Sequence, residues 1–525
     1  MIEDEKSVSK RSLSLVRFNP KVRNELILRG LNALSEVRDA KFYYLKGEEH
    51  RMRDELFEAI EAYKQAIRVD PDYAEAYFSI GWTYGKLGRH AEAVAAYKQA
   101  IRIKPDYTGA HNNIGVVYSE LGRNKEAVEA CKQAIRIDPN YALAHNNLGN
   151  AYIALGRHAE AIKAYKQAIR IKPDNASAHY NLGVMYSELG RNKEAVDTYK
   201  QAIRIDPNYA LAHNNLGNAY IALGRHAEAI KAYKQAIRIK PDNALAHYNL
   251  GVMYGKLRKN AEVIEAYKQA IRIDPNYASA HYNLGVIYSE LGRNKEAVEA
   301  CKQAIRIDPN YAKAHYNLGV VYGNLGRYSE AIEAYQQAIR IKPDDAGAHY
   351  NLGLAYGKLG KYTEAVEAYK QAIRIKPDDA YAYCNLGLAY EGLEKYTEAI
   401  KAYKQARRIR PDDEYTHYAL GLAYEGLEKY TEAIKAYKQA IRINPDNAST
   451  HSSLGIAYEK LGRYAEAIEA NKQAIRIKPD DAEAHLFLGL TYLRMNMNDE
   501  ALDEYRVLMG FDKKKADQLF KLIYE

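Results

Sequence analysis

A glycine recurs every 34 residues from Gly81 to Gly489, through Gly115, Gly149, Gly183 and each later step, without a gap. So strict a period makes the chain an array of one supersecondary unit, in which each copy buries its apolar face against its neighbours. Other positions keep the same clock. Counting units from Ala74, Thr108, Ala142 and onward, tyrosine fills position 11 from Tyr84 to Tyr492, and alanine fills position 20 from Ala93 to Ala501 with Val263 the one exception. Thirteen of the fourteen prolines, Pro71 to Pro479, close an Ala-Ile-Arg-Ile-type stretch.

One unit reads as two helices. In residues 142–155, Ala144, Leu148, Ala151, Tyr152 and Leu155 fall three and four apart, the stripe of an amphipathic helix A. Gly156 ends it by accepting C-cap backbone angles that other residues resist. Helix B follows from about His158 to Ile171, with Ala161, Ile162, Tyr165, Ala168 and Ile169 apolar, until Pro173 removes a donor. The small residues Gly149 and Ala161 let the two helices approach closely.

Residues 244–277 carry His247 at position 4, Leu250-Gly251 at 7 and 8, Tyr254 at 11, Tyr267 at 24, Ala270 at 27 and Pro275 at 32. This pattern resembles the tetratricopeptide repeat (TPR). The resemblance implies an all-α fold, a right-handed α-solenoid or superhelix of about fourteen helix-turn-helix units starting at residues 40, 74, 108, 142, 176, 210, 244, 278, 312, 346, 380, 414, 448 and 482. The array then spans residues 40–515. Its first unit keeps Gly47, Ala59, Tyr63, Ala66 and Pro71, and its last keeps Gly489, Tyr492, Ala501 and Tyr505 without the proline. Residues 1–39 are expected to be a polar segment and a capping helix, and residues 516–525, with Leu519, Phe520, Leu522 and Ile523, a second cap.

Composition narrows the function classes. No apolar run approaches the ~20 residues of a membrane helix, and the acidic start Met1-Ile2-Glu3-Asp4-Glu5 lacks the basic region of a secretory signal, so no membrane association and a cytoplasmic location are expected. Cys131 and Cys301 stand at position 24 and Cys384 at position 5, with no metal or disulfide spacing; two of the three are expected to be buried. The net charge of +9 comes largely from a Lys and an Arg recurring on helix B, as in Lys166 and Arg170. With no recognition motif or stacking aromatics beside that charge, nucleic acid is not an expected partner.

Catalytic chemistry needs unlike residues placed once, whereas units 142–175 and 210–243 are identical in every residue. Eleven of the fifteen histidines sit at position 4, one per unit, where packing rather than metal ligation is expected. Phosphate-binding loops, nucleophile elbows and dinucleotide fingerprints are absent. The chain is therefore expected to have no enzymatic activity, no cofactor, no metal and no small-molecule substrate.

Position 6 carries the candidate site. Asn113, Asn147, Asn181, Asn215, Asn249, Asn283, Asn317, Asn351 and Asn385 occupy it in nine consecutive units, and position 5 beside it is often tyrosine, as in Tyr180, Tyr248, Tyr282, Tyr316, Tyr350 and Tyr418. The TPR resemblance implies that helix A lines a concave groove and that positions 2, 5, 6, 9, 12 and 13 face into it. The asparagines resemble the ladder in the repeats of the O-linked N-acetylglucosamine transferases, which holds substrate polypeptide; that enzyme's catalytic domain is not expected here, since the sequence ends within a dozen residues of the last unit. A carboxamide pairs with both the C=O and the N–H of an extended peptide, so a protein or peptide partner is expected in the groove. The same amides could instead bond between adjacent helices. Two further functional readings stay open: self-association of near-identical repeats into a homo-oligomer, and service as a substrate-delivering accessory to a separate glycosyltransferase-type enzyme.

Overall fold

The structure, a computed structural model, describes residues 39–524. The segment and cap expected over 1–39 lie outside the described residues apart from Asp39. Twenty-nine α-helices and no strand occupy the described residues. They divide between two compact units, Met1–Leu257 and Arg258–Glu525. The first contains six helix pairs, from Ala40–Met52 with Leu56–Val69 to Ala210–Ala222 with His226–Ile239, and then the helix Ala244–Lys256. The second begins with Asn260–Ile273, continues through seven pairs from Ala278–Glu290 with Asn294–Ile307 to Ala482–Arg494 with Asn498–Met509, and ends on Lys513–Tyr524. The pairs reproduce the 34-residue spacing read from the sequence.

The turn between helix A and helix B requires a left-handed residue at position 15. Nine units place glycine there, such as Gly156 at φ 69°, and five place Asp54, Arg258, Glu394, Glu428 or Asn496, with φ between 55° and 61°. A non-glycine residue costs roughly 1–2 kcal/mol in that conformation, so the turn geometry is imposed by packing of the flanking helices.

Position 8 is glycine for another reason. A Cβ on Gly149 would lie 2.5 Å from the Tyr165 ring, and one on Gly353 2.7 Å from Tyr369. The helix B tyrosine is pressed flat on the helix A backbone, and its neighbours Ala161 and Ala168 are completely buried. Burying such a ring contributes about 1.5–3 kcal/mol, and each repeat that carries it adds this to a core shared with the next helix A. At Gly115 and Gly285 the thiols of Cys131 and Cys301 take the ring's place. All three cysteines are buried, Cys384 included; burial pushes the Cys131 thiol up to about 12 and those of Cys301 and Cys384 to about 11, so none is a reactive thiolate near neutral pH.

The position-4 histidines have a uniform structural task. In all eleven, Nε2 lies 2.9–3.2 Å from the carbonyl oxygen of the proline that closed the preceding unit, as in His179 with Pro173 and His349 with Pro343. The imidazole N–H thus satisfies a carbonyl at the inter-repeat turn, which the end of helix B leaves without a helical donor. Position 34 completes that turn in two ways. Asn175, Asn243, Asp345, Asp379, Asp413, Asn447 and Asp481 cap the following helix through their side chains, whereas Tyr107 and Tyr209 lay their rings 4.9 Å from Phe78 and Tyr180.

At the C-terminal end, Leu519 is fully buried and takes the place over Gly489 that the helix B tyrosine takes elsewhere. Phe520 and Leu522, expected from the sequence to cover the last unit, instead remain exposed at 43% and 48%, because they fall on the outer side of Lys513–Tyr524.

Candidate peptide-binding face

The position-6 asparagines are half-buried on helix A, and each donates Nδ2–H toward the preceding repeat. In the first unit, Asn147 donates to Asn112 Oδ1 at 2.9 Å, Asn181 to Asn146 and Asn150 at 3.3 and 3.2 Å, and Asn249 to Asn214 and Asn218 at 3.4 Å each. Asn113 reaches the Tyr97 hydroxyl at 3.4 Å, and Asn215 the Tyr180 hydroxyl at 3.0 Å. In the second unit, Asn351 donates to Tyr316 at 2.8 Å, Asn385 to Tyr350 at 3.0 Å, Asn283 to Tyr267 at 3.4 Å, and Asn317 to the Cys301 sulfur at 3.3 Å. The inter-helix bonding that the sequence left as one alternative is therefore present. Asn385 also donates to its own Tyr381 carbonyl oxygen at 2.9 Å, and the Oδ1 atoms of Asn113 and Asn215 accept from Asn112 and Asn214. The Oδ1 atoms of Asn351 and Asn385 accept no hydrogen bond from the described residues.

The position-5 tyrosines are half-buried rather than an open wall of rings. Tyr316 and Tyr350 each stand 5.9 Å, centroid to centroid, from the helix B tyrosine of their own repeat, Tyr335 and Tyr369, while their hydroxyls take the next repeat's amide. Tyr180 is held in the same way between Tyr199 and Asn215. Tyr282 lies 5.1 Å from Tyr311, and Tyr248 is half-buried in the first unit.

Two clefts open on this face, one repeat apart. The first, about 270 Å³, is lined by Val320, Gly323, Asn324, Tyr328, Tyr335, Asn351, Leu354, Ala355 and Lys358. The second, about 250 Å³, is lined by Leu354, Gly357, Lys358, Tyr362, Tyr369, Asn385, Leu388 and Ala389. The same repeat positions recur: 9, 12, 13, 17 and 24 of one unit, then 6, 9 and 10 of the next. Leu354 and Lys358 belong to both. Each cleft presents an asparagine amide, an aliphatic floor and two phenol rings, which suits one apolar or amphipathic side chain beside a polar backbone group.

Sequence reasoning missed the position-17 tyrosines. Tyr328, Tyr362, Tyr396, Tyr430 and Tyr464 replace the histidines and asparagines that hold this position from His90 to Asn294. Glycines at position 13 accompany two of them: a Cβ on Gly392 would lie 2.8 Å from Tyr362, and one on Gly426 2.6 Å from Tyr396. That pairing, legible in the sequence, is the signal that could have located the cleft wall. Among the described residues no cluster of His, Cys, Asp and Glu could hold a metal ion, and no helix is long and apolar enough to cross a membrane.

Comparison with known proteins agrees with this architecture. The TPR family matches residues 47–88, 83–122, 117–156, 149–190, 185–224, 427–462 and 460–496. The family described as the cilia and flagella-associated protein 70 C-terminal domain matches residues 209–420. No curated protein matches the chain. Among solved structures, the chain is similar to one in the APC/C hetero-tetramer Cut9-Hcn1, at 16% identity and a TM-score of 0.39, covering 94% of this chain and 98% of that one. It is also similar to YrrB, described as a TPR protein with an unusual peptide-binding site, at 24% identity and a TM-score of 0.30, over 36% of this chain and 96% of YrrB. MamA follows at 29% identity and a TM-score of 0.29, over 33% of this chain and 93% of MamA. With the 34-residue period, the paired helices and the family matches in agreement, the chain is a tetratricopeptide-repeat protein.

Proposed function

We propose that this protein is a non-catalytic scaffold that holds an extended segment of a partner protein along its helix A faces. The observation that carries this reading is the recurrence of one cleft at Asn351 and again at Asn385, with the same repeat positions lining both. A bound strand would donate backbone N–H to the carboxamide oxygens and rest side chains on Leu354, Leu388 and the flanking rings. Because successive amides meet backbone rather than side chains, selectivity for sequence would be low and affinity would accumulate repeat by repeat. The run from Asn113 to Asn249 would extend the same function in the first unit. The likeness to the O-linked N-acetylglucosamine transferase repeats rests on these asparagines alone. The match of residues 209–420 is the ground for seeking the partner first among cilia- and flagella-associated proteins; a cytoplasmic location of the chain remains part of the proposal.

The test is selection of binding peptides from a displayed library on the full chain, followed by affinity measurement with variants. Asn351→Ala with Asn385→Ala should weaken binding roughly thirtyfold, from two contacts of about 1 kcal/mol each. Leu354→Arg fills both clefts without touching the ladder and should do the same, while Lys370→Glu on helix B should leave affinity unchanged. Equal affinity of the wild type and both groove variants, each shown to be folded by its helical melt, would overturn the reading.

A further inference from the structure

Position 28 of helix B is isoleucine in twelve units, from Ile67 to Ile475, and arginine in one, at Arg407. That exchange takes place beside a cleft of about 830 Å³ lined by Arg407, Pro411, Asp412, His417, Gln439, Arg442 and Ile443. It shares no lining residue with the clefts at Asn351 and Asn385. Its walls are the helix Tyr396–Ile409, the turn that follows it, the start of Glu414–Gly426 and the end of Tyr430–Ile443.

We infer that this cleft is a binding site for a phosphate monoester. Arg407 and Arg442 make no ion pair with any described residue, in contrast to Arg327 and Arg463, each bonded to a glutamate three residues on. An isoleucine replaced by an unpaired cation gains nothing in packing, whereas two guanidiniums in one cleft provide paired N–H forks that match phosphate oxygens in geometry and charge. Gln439 adds an amide donor. His417, only 6% exposed, is fixed by its Nε2 at 2.9 Å from the Pro411 carbonyl oxygen, so the wall is built before any ligand arrives. The one carboxylate in the lining, Asp412, is exposed and leaves the two arginines in excess. Neighbouring Arg410 is engaged elsewhere, over the Tyr381 ring at 4.8 Å. Pro411 and Ile443 give an apolar surface for the remainder of the ligand, and the volume exceeds what a phosphate alone requires.

The phosphoryl group could belong to a phosphorylated side chain of a partner or to a small phosphorylated molecule. Calorimetric titration of the full chain with inorganic phosphate, O-phosphoserine and a phosphoserine peptide distinguishes them. Tighter binding of the peptide assigns the site to a protein partner; equal binding of all three assigns it to a small phosphate. In either case Arg407→Ile, which restores the array's own residue and so preserves folding, should weaken binding about tenfold or more, and raised salt should act in the same direction. Arg442→Gln should reproduce the loss independently. Unchanged affinity in both variants, or no binding of any of the three probes at millimolar concentration, would overturn the inference.

Discussion

The identical repeats 142–175 and 210–243 and the repeats between 380 and 481 share one template, yet they treat the crossing of helix A and helix B differently. In the identical repeats the helix B phenol meets a neutral amide: Tyr165 donates to Asn150 Oδ1 and Tyr233 to Asn218 Oδ1, both at 2.6 Å. In the later repeats the partner is a carboxylate or nothing. Tyr437 donates to Glu425 Oε2 at 2.7 Å. The Tyr403 hydroxyl and the Glu391 carboxyl are buried and interact, but Tyr403 Oη and Glu391 Oε1 fall outside good hydrogen-bond geometry. At Asn471 the ring itself is gone, and both amide atoms are buried and unpartnered. The later repeats also place Glu394 and Glu428 at the left-handed turn where the earlier ones have Gly156 and Gly224. The comparison separates stability from specialisation: the copied repeats satisfy the helix B phenol at the crossing, though His158 and His226 Nδ1 stay buried without a partner, and the divergent ones accept turn strain and a buried carboxyl.

The largest effect should come from crowding the crossing itself. Gly149→Ala drives a Cβ into the Tyr165 ring, which is enclosed on every side. Despite a gain in helix propensity of about 1 kcal/mol, a net loss of about 3 kcal/mol is expected from overpacking. Gly455→Ala meets the tip of the shorter Asn471 amide and should cost about half as much. Because repeats open locally, the measurement is hydrogen exchange resolved by repeat rather than a single melt. Equal losses at the two sites would mean that the tyrosine ring is not what makes the earlier repeats rigid.

The second contrast is pH dependence. Burial pushes the Glu391 carboxyl up to about 7, with the nearby Tyr403 hydroxyl offsetting only part of that rise, against about 4.3 for an unfolded glutamate. Between those values the folded state holds a proton that the unfolded state has released, so this group favours folding at acid pH and the advantage disappears as pH rises through 7. Glu391→Gln should therefore stabilise repeat 380–413 by about 2 kcal/mol at pH 8 and flatten its profile between pH 4.3 and 7. Glu425 is likewise raised by burial, against the opposing influence of Tyr437 and Lys460. Repeat 142–175, with Asn150 in the corresponding contact, should show no such profile. A parallel response of both repeats to pH would remove Glu391 as the cause.

The turn residues give a smaller, opposite-signed effect. Glu394→Gly and Glu428→Gly should each stabilise their repeats by about 1 kcal/mol, since the left-handed conformation is already imposed and glycine adopts it without strain. Gly224→Glu should reverse the effect in the earlier region. If the glycine variants are less stable, the loss of unfolded-chain entropy outweighs the strain at this turn.

Periodic features were legible because any error in them would be repeated fourteen times. The glycine at 8, with the tyrosine at 11 and the prolines in nearly every unit, locates both helices of the repeats, whereas the one-per-unit histidines, expected to pack, bond the proline carbonyl at the inter-repeat turn. What a letter bonds to was less accessible. Position 6 announces a carboxamide but not that its Nδ2–H is committed to Tyr316 or Asn112 of the preceding repeat, because that depends on how one helix A lies over another. Glu391 looks like a solvent-facing residue in the sequence, yet in the fold its carboxyl is buried near Tyr403. Phe520 and Leu519 are adjacent and equally apolar, yet only the helical phase of the last segment decides which is covered.

The smallest expected effect concerns a polar contact copied on the surface of many repeats. In the earlier region the arginine at position 16 lies over the position-11 tyrosine and pairs with a glutamate three residues on: Arg225 sits 4.7 Å from the Tyr220 ring centroid and 2.6 Å from Glu228. Repeats 346, 380 and 414 have Lys361, Lys395 and Lys429 instead. Such recurrence invites the conclusion that the triad locks each repeat, but its charged atoms are exposed, and exposed pairs gain little after screening and side-chain ordering. Hydrogen bonding and charge from Arg225 do hold the Glu228 carboxyl below its ordinary range. Arg225→Lys should consequently leave the melting midpoint within experimental scatter at physiological salt, as should Lys429→Arg in the later region, with a difference emerging only at low ionic strength. A clear drop for Arg225→Lys at physiological salt would show instead that guanidinium stacking on the ring carries the stability of the regular repeats, and that the lysine repeats are the looser ones for that reason rather than for their buried carboxylates.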